Sequence, residues 1–300
     1  MLITTSALAK PIEFVIPYAP GGTADRIALV MLPFLKRELA KHDLTPVLTY
    51  RPGGGSVIGS ASVAKSSSDK LQILLVGNSV VTAPIINPTA SSYDIATDFF
   101  ILDYLGHIPM LLVVNASSPI KNIQDFKKLC QDKNLSYGSS GTGSATHIAS
   151  AIVTNTLQCD ATHIPYKGLG QAIVDLQGNH IDFVSDFTAS IHPHIDAGTF
   201  RVILSVDKHK YSGYPKIPSM ADIGYNDYNF YNWFVIMANA NAPTVEMSIV
   251  QTALRQLSKN HDLKTQLRDI GLQGSNIQWD QQFLIREHVN FTRILKRVQK

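Results

Sequence analysis

What most constrains this chain is the regular exchange between short apolar, β-rich runs and segments of helical periodicity. Ile12 to Ile16 leads into a helical stretch from Asp25 to Lys41, and Pro46 to Tyr50 leads into Val57 to Lys65. Gln72 to Val76 then leads into a helix-poor stretch through Asn87-Pro88. This is the rhythm of a parallel sheet flanked by helices, an α/β fold. In the first helix Ile27, Val30, Met31, Phe34 and Leu35 form a buried stripe, and Pro33 within it predicts a kink or a split.

A second series starts at Leu111 to Val114. It continues with helix Ile123 to Cys130, strand Leu135 to Tyr137, helix Ala145 to Leu157, strand Thr162 to Pro165 and helix Leu169 to Leu176. Strands Ile181 to Val184 and Arg201 to Ser205 follow, then the strand "YNWFVIMA" (Tyr231 to Ala238) and helical patterns near Thr244 to Asn260 and Asp280 to Val298. No low-complexity linker divides the series, so the pattern predicts two hinged lobes, with Leu111 to Asn115 and Tyr231 to Ala238 as crossover strands.

Composition excludes several functions. With 26 Lys+Arg against 23 Asp+Glu and a net charge of +3, the chain has no basic stripe for a phosphate backbone, so nucleic acid is not an expected partner. Apolar stretches such as Met110 to Val114 fall far short of the roughly 20 residues of a bilayer span, so no integral membrane segment is expected. Ala7-Leu8-Ala9 before Lys10 has the small-x-small pattern that ends a signal peptide; residues 1 to 9 read as a signal remnant or as an ordinary terminus. Cys130 and Cys159 lack C-x-x-C spacing and read either as one bridge after export or as two separate thiols.

Three strand-to-helix loops share one character: "YAPGGTAD" (18 to 25), "GNSVVT" (77 to 82) and "YGSSGTGSATH" (137 to 147). Their glycines permit close backbone approach, their hydroxyls supply donors, and each following helix aims its N-terminal N–H groups at the space beyond the sheet. Thr23 or Asp25 is expected to cap the first helix and Ser144 the helix after the third loop. The loops carry almost no Lys or Arg, so an anion held there is met by dipoles, with Asn78 and Ser79 as donors from the second loop.

Rival chemistries fail on spacing. Gly141-x-Gly143 lacks the third glycine of a dinucleotide fingerprint, no phosphate-binding G-x-x-x-x-G-K-[ST] occurs, and Gly77-Asn78-Ser79 does not continue as a G-x-S-x-G elbow. His192-Pro-His194 has no third ligand, so no metal and no cofactor is expected. His147, about three residues into its helix, is expected to be neutral, either bracing the loop or touching ligand. Asp25 suits a cap better than an anion contact, unless the ligand carries an ammonium. Asp186 ends the alternating run "HIDFVSD" and points to the same crevice. A hydrolase-like use of Ser144 and His147 is the rival from another class.

With these residues in view, the chain resembles the solute receptors of tripartite tricarboxylate transporters, the Bug-type periplasmic binding proteins, from about Ile12 to the end. The resemblance rests on "VIPYAPGGTADRIA", "YRPGGGSVIGSASVAKS", "VVNASSPIKNIQDF", "LSYGSSGTGSATHIAS", "THIPYKGLGQAIVDLQGNHIDF" and "WFVIMA", in that order. It implies a two-lobed Venus-flytrap fold, each lobe a mostly parallel sheet flanked by helices and joined by two crossover strands. Lobe 1 would take residues 10–113 and 234–300, and lobe 2 residues 114–233.

The resemblance also implies a non-enzymatic, periplasmic, monomeric receptor that closes on a small carboxylate (a dicarboxylate, an aromatic acid or an amino acid) and delivers it to a membrane permease. By the same resemblance Tyr18, Gly22, Thr23, Ala24 and Asp25 of the first loop grip one carboxylate with ordered waters. The second lobe contributes Ser139, Thr142, Gly143, Ser144, Thr146 and His147, with Asp186 where pocket polarity varies. The chain departs from the family pattern at Ser56 and Val57, and Val80 and Val81 replace hydroxyl residues, which leans toward a ligand less polar at its far end. A carboxylate sensor for a signalling partner is the alternative use of the same fold.

Overall fold

The computed structural model describes residues 9–226, 230, 232–274 and 279–298; of the expected signal remnant, residues 1–8 lie outside them. The chain begins β1 (Lys10–Ile16), α1 (Thr23–Leu39), β2 (Leu44–Tyr50), α2 (Val57–Ala64), β3 (Gln72–Gly77), α3 (Ser79–Ile86) and β4 (Phe99–His107). It continues β5 (Met110–Asn115), α4 (Ile123–Asp132), β6 (Leu135–Ser139), α5 (Ala145–Thr156), β7 (Ala161–Pro165), α6 (Leu169–Gln177), β8 (Phe183–Phe187), α7 (Thr188–Asp196) and β9 (Phe200–Ser205). It closes with β10 (Trp233–Asn239), α8 (Thr244–Leu257), α9 (His261–Asp269) and α10 (Phe283–Val298).

The strands form two five-stranded sheets of matching order, β2-β1-β3-β10-β4 and β7-β6-β8-β5-β9. In each, the first three strands are parallel, and the fourth, β10 or β5, runs antiparallel to both neighbours. The chain crosses between the sheets at residues 108–109 and returns after β9. Leu111 to Asn115 pairs along its length with β8 and β9, so this strand lies within the second sheet instead of bridging the two. β10 likewise pairs only with β3 and β4. The two crossing segments touch, Ile108 N–H donating to Asn232 C=O at 2.9 Å.

Two prolines behave differently from the sequence expectation. α1 runs as one helix through Pro33, and the carbonyl that loses its partner belongs to Leu29, a residue 52% exposed. Residues Ser79 to Ile86, expected to be helix-poor, are α3; Tyr93 Oη donates to Val80 C=O at 2.8 Å and replaces the hydrogen bond that Pro84 cannot make. Val80 and Val81 are both fully buried within the hydrophobic core cluster.

Beyond the sheets, two local ties hold the elements. Asn239 Nδ2 donates to the carbonyls of Val63, Ala64 and Ser66 at 3.3, 2.6 and 3.1 Å, closing the C-terminal end of α2 against β10. Cys130 and Cys159 are joined as a disulfide, their Cα atoms 5.3 Å apart, which settles the alternative left open by spacing and staples α4 to the turn after α5.

Candidate functional site

Every strand-to-helix turn at the facing edges of the two sheets ends in a helix N-terminus, and five of these surround one cavity. Its wall includes Gly22, Thr23 and Ala24 from the start of α1, Asn78 before α3, and Ala145 and Thr146 from the start of α5. Leu169 opens α6, Phe187 precedes α7, and Tyr18, Gly77, Ser140, Asp186 and Phe234 complete the wall. Aligned helices place partial positive charge and N–H groups at their N-termini, so an anion here would be met by dipoles; among the described residues of the wall there is no Lys or Arg.

Seven of the residues singled out in sequence line this cavity: Tyr18, Gly22, Thr23, Ala24, Asn78, Thr146 and Asp186. Of the other seven, Asp25, Ser79, Ser139, Ser144 and His147 stand behind the wall, and Thr142 and Gly143 lie at the seam between the sheets. Gly22, and neither Thr23 nor Asp25, occupies the cap position of α1. Asp25 reaches back from the first turn, one oxygen accepting from Gly21 N–H at 2.8 Å and the other from Tyr50 Oη at 2.6 Å. Burial, with the Asp25 hydrogen bond next, pushes the Tyr50 phenol up to about 12. Ser79 accepts the Tyr18 hydroxyl proton and donates its own to Ser56 Oγ at 2.9 Å. Ser139 Oγ bonds His163 Nε2 at 2.6 Å.

Ser144 caps α5 as its position predicts, accepting from His147 N–H at 3.3 Å, and lies 3.0 Å from Thr146 Oγ1. The His147 ring accepts from Gly143 N–H at 3.2 Å through Nδ1, which braces the loop, and its contact with Ser144 runs through the backbone. The pair is therefore not arranged as nucleophile and base. His147 stacks on His163 with centroids 4.0 Å apart. Burial lowers His147 to about 4; burial and then the neighbouring imidazole lower His163 to about 3, so both rings are neutral at pH 7. His192 packs on Tyr211 and Tyr214, whereas His194 stacks on Phe200, so the His-Pro-His pair diverges.

The two sheets meet across the cavity. Thr82 Oγ1 donates to Gly143 C=O at 2.7 Å, Ala19 N–H donates to Lys167 C=O at 3.2 Å, and Thr23 Oγ1 lies 3.2 Å from Ser190 Oγ. Here Gly143, with φ +81°, lies so close to α3 that an added Cβ would sit 2.5 Å from Ala83 Cα. Thr142 is exposed, and its carbonyl faces Gly55 across the same seam. The glycines of the third loop thus serve the approach of one lobe to the other.

Sequence reading missed the turns into α6 and α7, and with them Leu169, Phe187 and Phe234. "YKGLG" carries the same strand-glycine-helix signature as the first three loops, and that signal was available. An apolar wall residue, by contrast, has no mark in sequence that separates it from core.

Two sheets of matching order, a paired crossing segment and a cavity ringed by helix N-termini define a two-lobed periplasmic-binding-protein fold. The chain matches the tripartite tricarboxylate transporter family receptor over residues 35–299, and it belongs to that family. Its relatives there are substrate-binding receptors and not enzymes. Among curated relatives, protein BugT of Bordetella pertussis is 28% identical over 233 residues, covering 77% of this chain and 71% of BugT. Among solved structures, the periplasmic binding protein BugD superposes with a TM-score of 0.88 at 22% identity, covering 97% of this chain and 98% of BugD. MatC from Rhodopseudomonas palustris with bound malate gives 0.85 at 19% identity, covering 95% and 99%.

Proposed function

We propose that this chain is an extracytoplasmic solute receptor that holds a small carboxylate in the cavity between its lobes and presents it, closed, to a tripartite-type membrane permease. The observation that carries the reading is the convergence of five helix N-termini on one cavity with no Lys or Arg among the described residues of its wall. A carboxylate there would take hydrogen bonds from first-turn N–H groups and from the Asn78 amide while the dipoles meet its charge. Family membership and the malate bound by MatC support the same class.

Export fits the Cys130–Cys159 bridge, since such bonds persist in oxidising compartments. The mature chain is expected to begin near Lys10, which N-terminal sequencing of the secreted protein checks. For the ligand class, small carboxylates should raise the melting temperature of refolded protein, and neutral sugars and nucleotides should not. At 100 times its dissociation constant a ligand stabilises by about 2.7 kcal/mol. A melt shifted only by uncharged solutes contradicts the reading.

A further inference from the structure

We propose that Asp186 selects the ligand, and that the ligand is a zwitterion, a carboxylate bearing a protonated amine that binds against the Asp186 carboxyl. The inference rests on the carboxylate reading above and narrows it.

Asp186 has no solvent exposure and lines the cavity at the end of β8. One oxygen accepts from Phe187 N–H at 2.5 Å and the other from the Ser190 hydroxyl, which leaves each with a free lone pair and the group with no paired cation. Among the described residues no ion pair includes Asp186; the charge acting on it is that of Arg26 on α1, at longer range. A buried, unpaired carboxylate is costly, and a ligand that brings a counter-charge relieves that cost. Burial pushes this carboxyl up to about 7 by disfavouring its charged form, and a cation beside it would restore that form.

Two of the hydroxyls nearby are committed. Ser79 gives its proton to Ser56, so Tyr18 donates to Ser79, and the Tyr18 oxygen is approached by Ser56 and by the Gly77 backbone. Ser190 donates to Asp186 or Phe187 C=O, so Thr23 must donate to Ser190 and is left as an acceptor. Among the described residues the wall offers backbone N–H groups, Asn78 and the Ser140 and Thr146 hydroxyls to a carboxylate, whereas Thr23 and Asp186 at the other side ask for a donor with several hydrogens. Both requirements fall within one cavity, so one ligand carries both groups.

Two isosteric sets test this on refolded protein by calorimetry: L-alanine, L-lactate and propionate, and L-aspartate, L-malate and succinate. Within a set that binds, the amine should bind at least tenfold more tightly than the hydroxyl and unsubstituted acids. Asp186→Asn should erase that preference by weakening the amine. Ser190→Ala should weaken all members together and keep their order. Equal or tighter binding of propionate or succinate in the wild type, as expected if Asp186 were a neutral acid donating to a second carboxylate, overturns the proposal while leaving the receptor reading intact. So does a preference that survives Asp186→Asn. Binding by none of the six overturns the carboxylate reading and this proposal with it.

Discussion

At the scale of single residues, Thr23 does two things at once: it lines the cavity and it reaches Ser190 on the other lobe. Thr23→Val keeps the shape and removes the hydroxyl, so it should weaken ligand binding about tenfold or more while the ligand-free melting temperature stays within a degree or two. Calorimetry beside a thermal melt checks both halves. Asp25 should behave in the opposite way. It is buried behind the wall with both oxygens satisfied, so Asp25→Ala strands the Gly21 N–H and the Tyr50 hydroxyl and should cost about 1–3 kcal/mol of stability. A melt of the ligand-free variant indistinguishable from wild type would show that Asp25 does not hold the loop. Sequence could place Thr23 and Asp25 in one loop but could not divide these roles, because the division depends on Tyr50, which arrives from another strand.

Among the elements, the third loop and α5 are held by a stack that includes His147 and His163. Both rings titrate below the unfolded value of about 6.5, at about 4 and about 3. The unfolded chain therefore takes up the protons first, so the stack's contribution is complete above pH 6.5 and is lost as the pH falls toward 3. A doubly substituted His147→Gln, His163→Gln protein should melt lower than wild type at pH 7 and lose less between pH 6 and pH 4. Parallel curves would contradict the assignment. The bridge between Cys130 and Cys159 closes a loop of 29 residues in sequence separation. Reducing it should lower stability by about 3–4 kcal/mol in the chain-entropy account, seen as a lower melting temperature in reductant. The alternation of β-rich and helical runs made most elements readable. α3 was not, because its short helix is apolar on every side and contains Pro84. The carbonyl freed by that proline is satisfied by Tyr93, nine residues beyond it, which no local pattern announces.

Across the whole molecule, function depends on how two similar lobes meet. The two series of strands and helices made two lobes legible, yet the crossing between the sheets lies at residues 108–109 and not in the apolar strand that follows. Buried apolar strands look alike in sequence whether they cross between sheets or stay in one. The approach of the lobes is fixed by Thr82 against Gly143 and by the lack of a side chain at Gly143. The most direct test is small-angle scattering of refolded, ligand-free protein titrated with the acid from the two isosteric sets that calorimetry shows to bind most tightly. A radius of gyration that falls saturably with bound ligand is the expected result, and Gly143→Ala should remain extended at the ligand concentration that half-compacts the wild type. Saturating ligand, verified by calorimetry, with an unchanged radius of gyration would contradict closure of the two lobes on a small carboxylate.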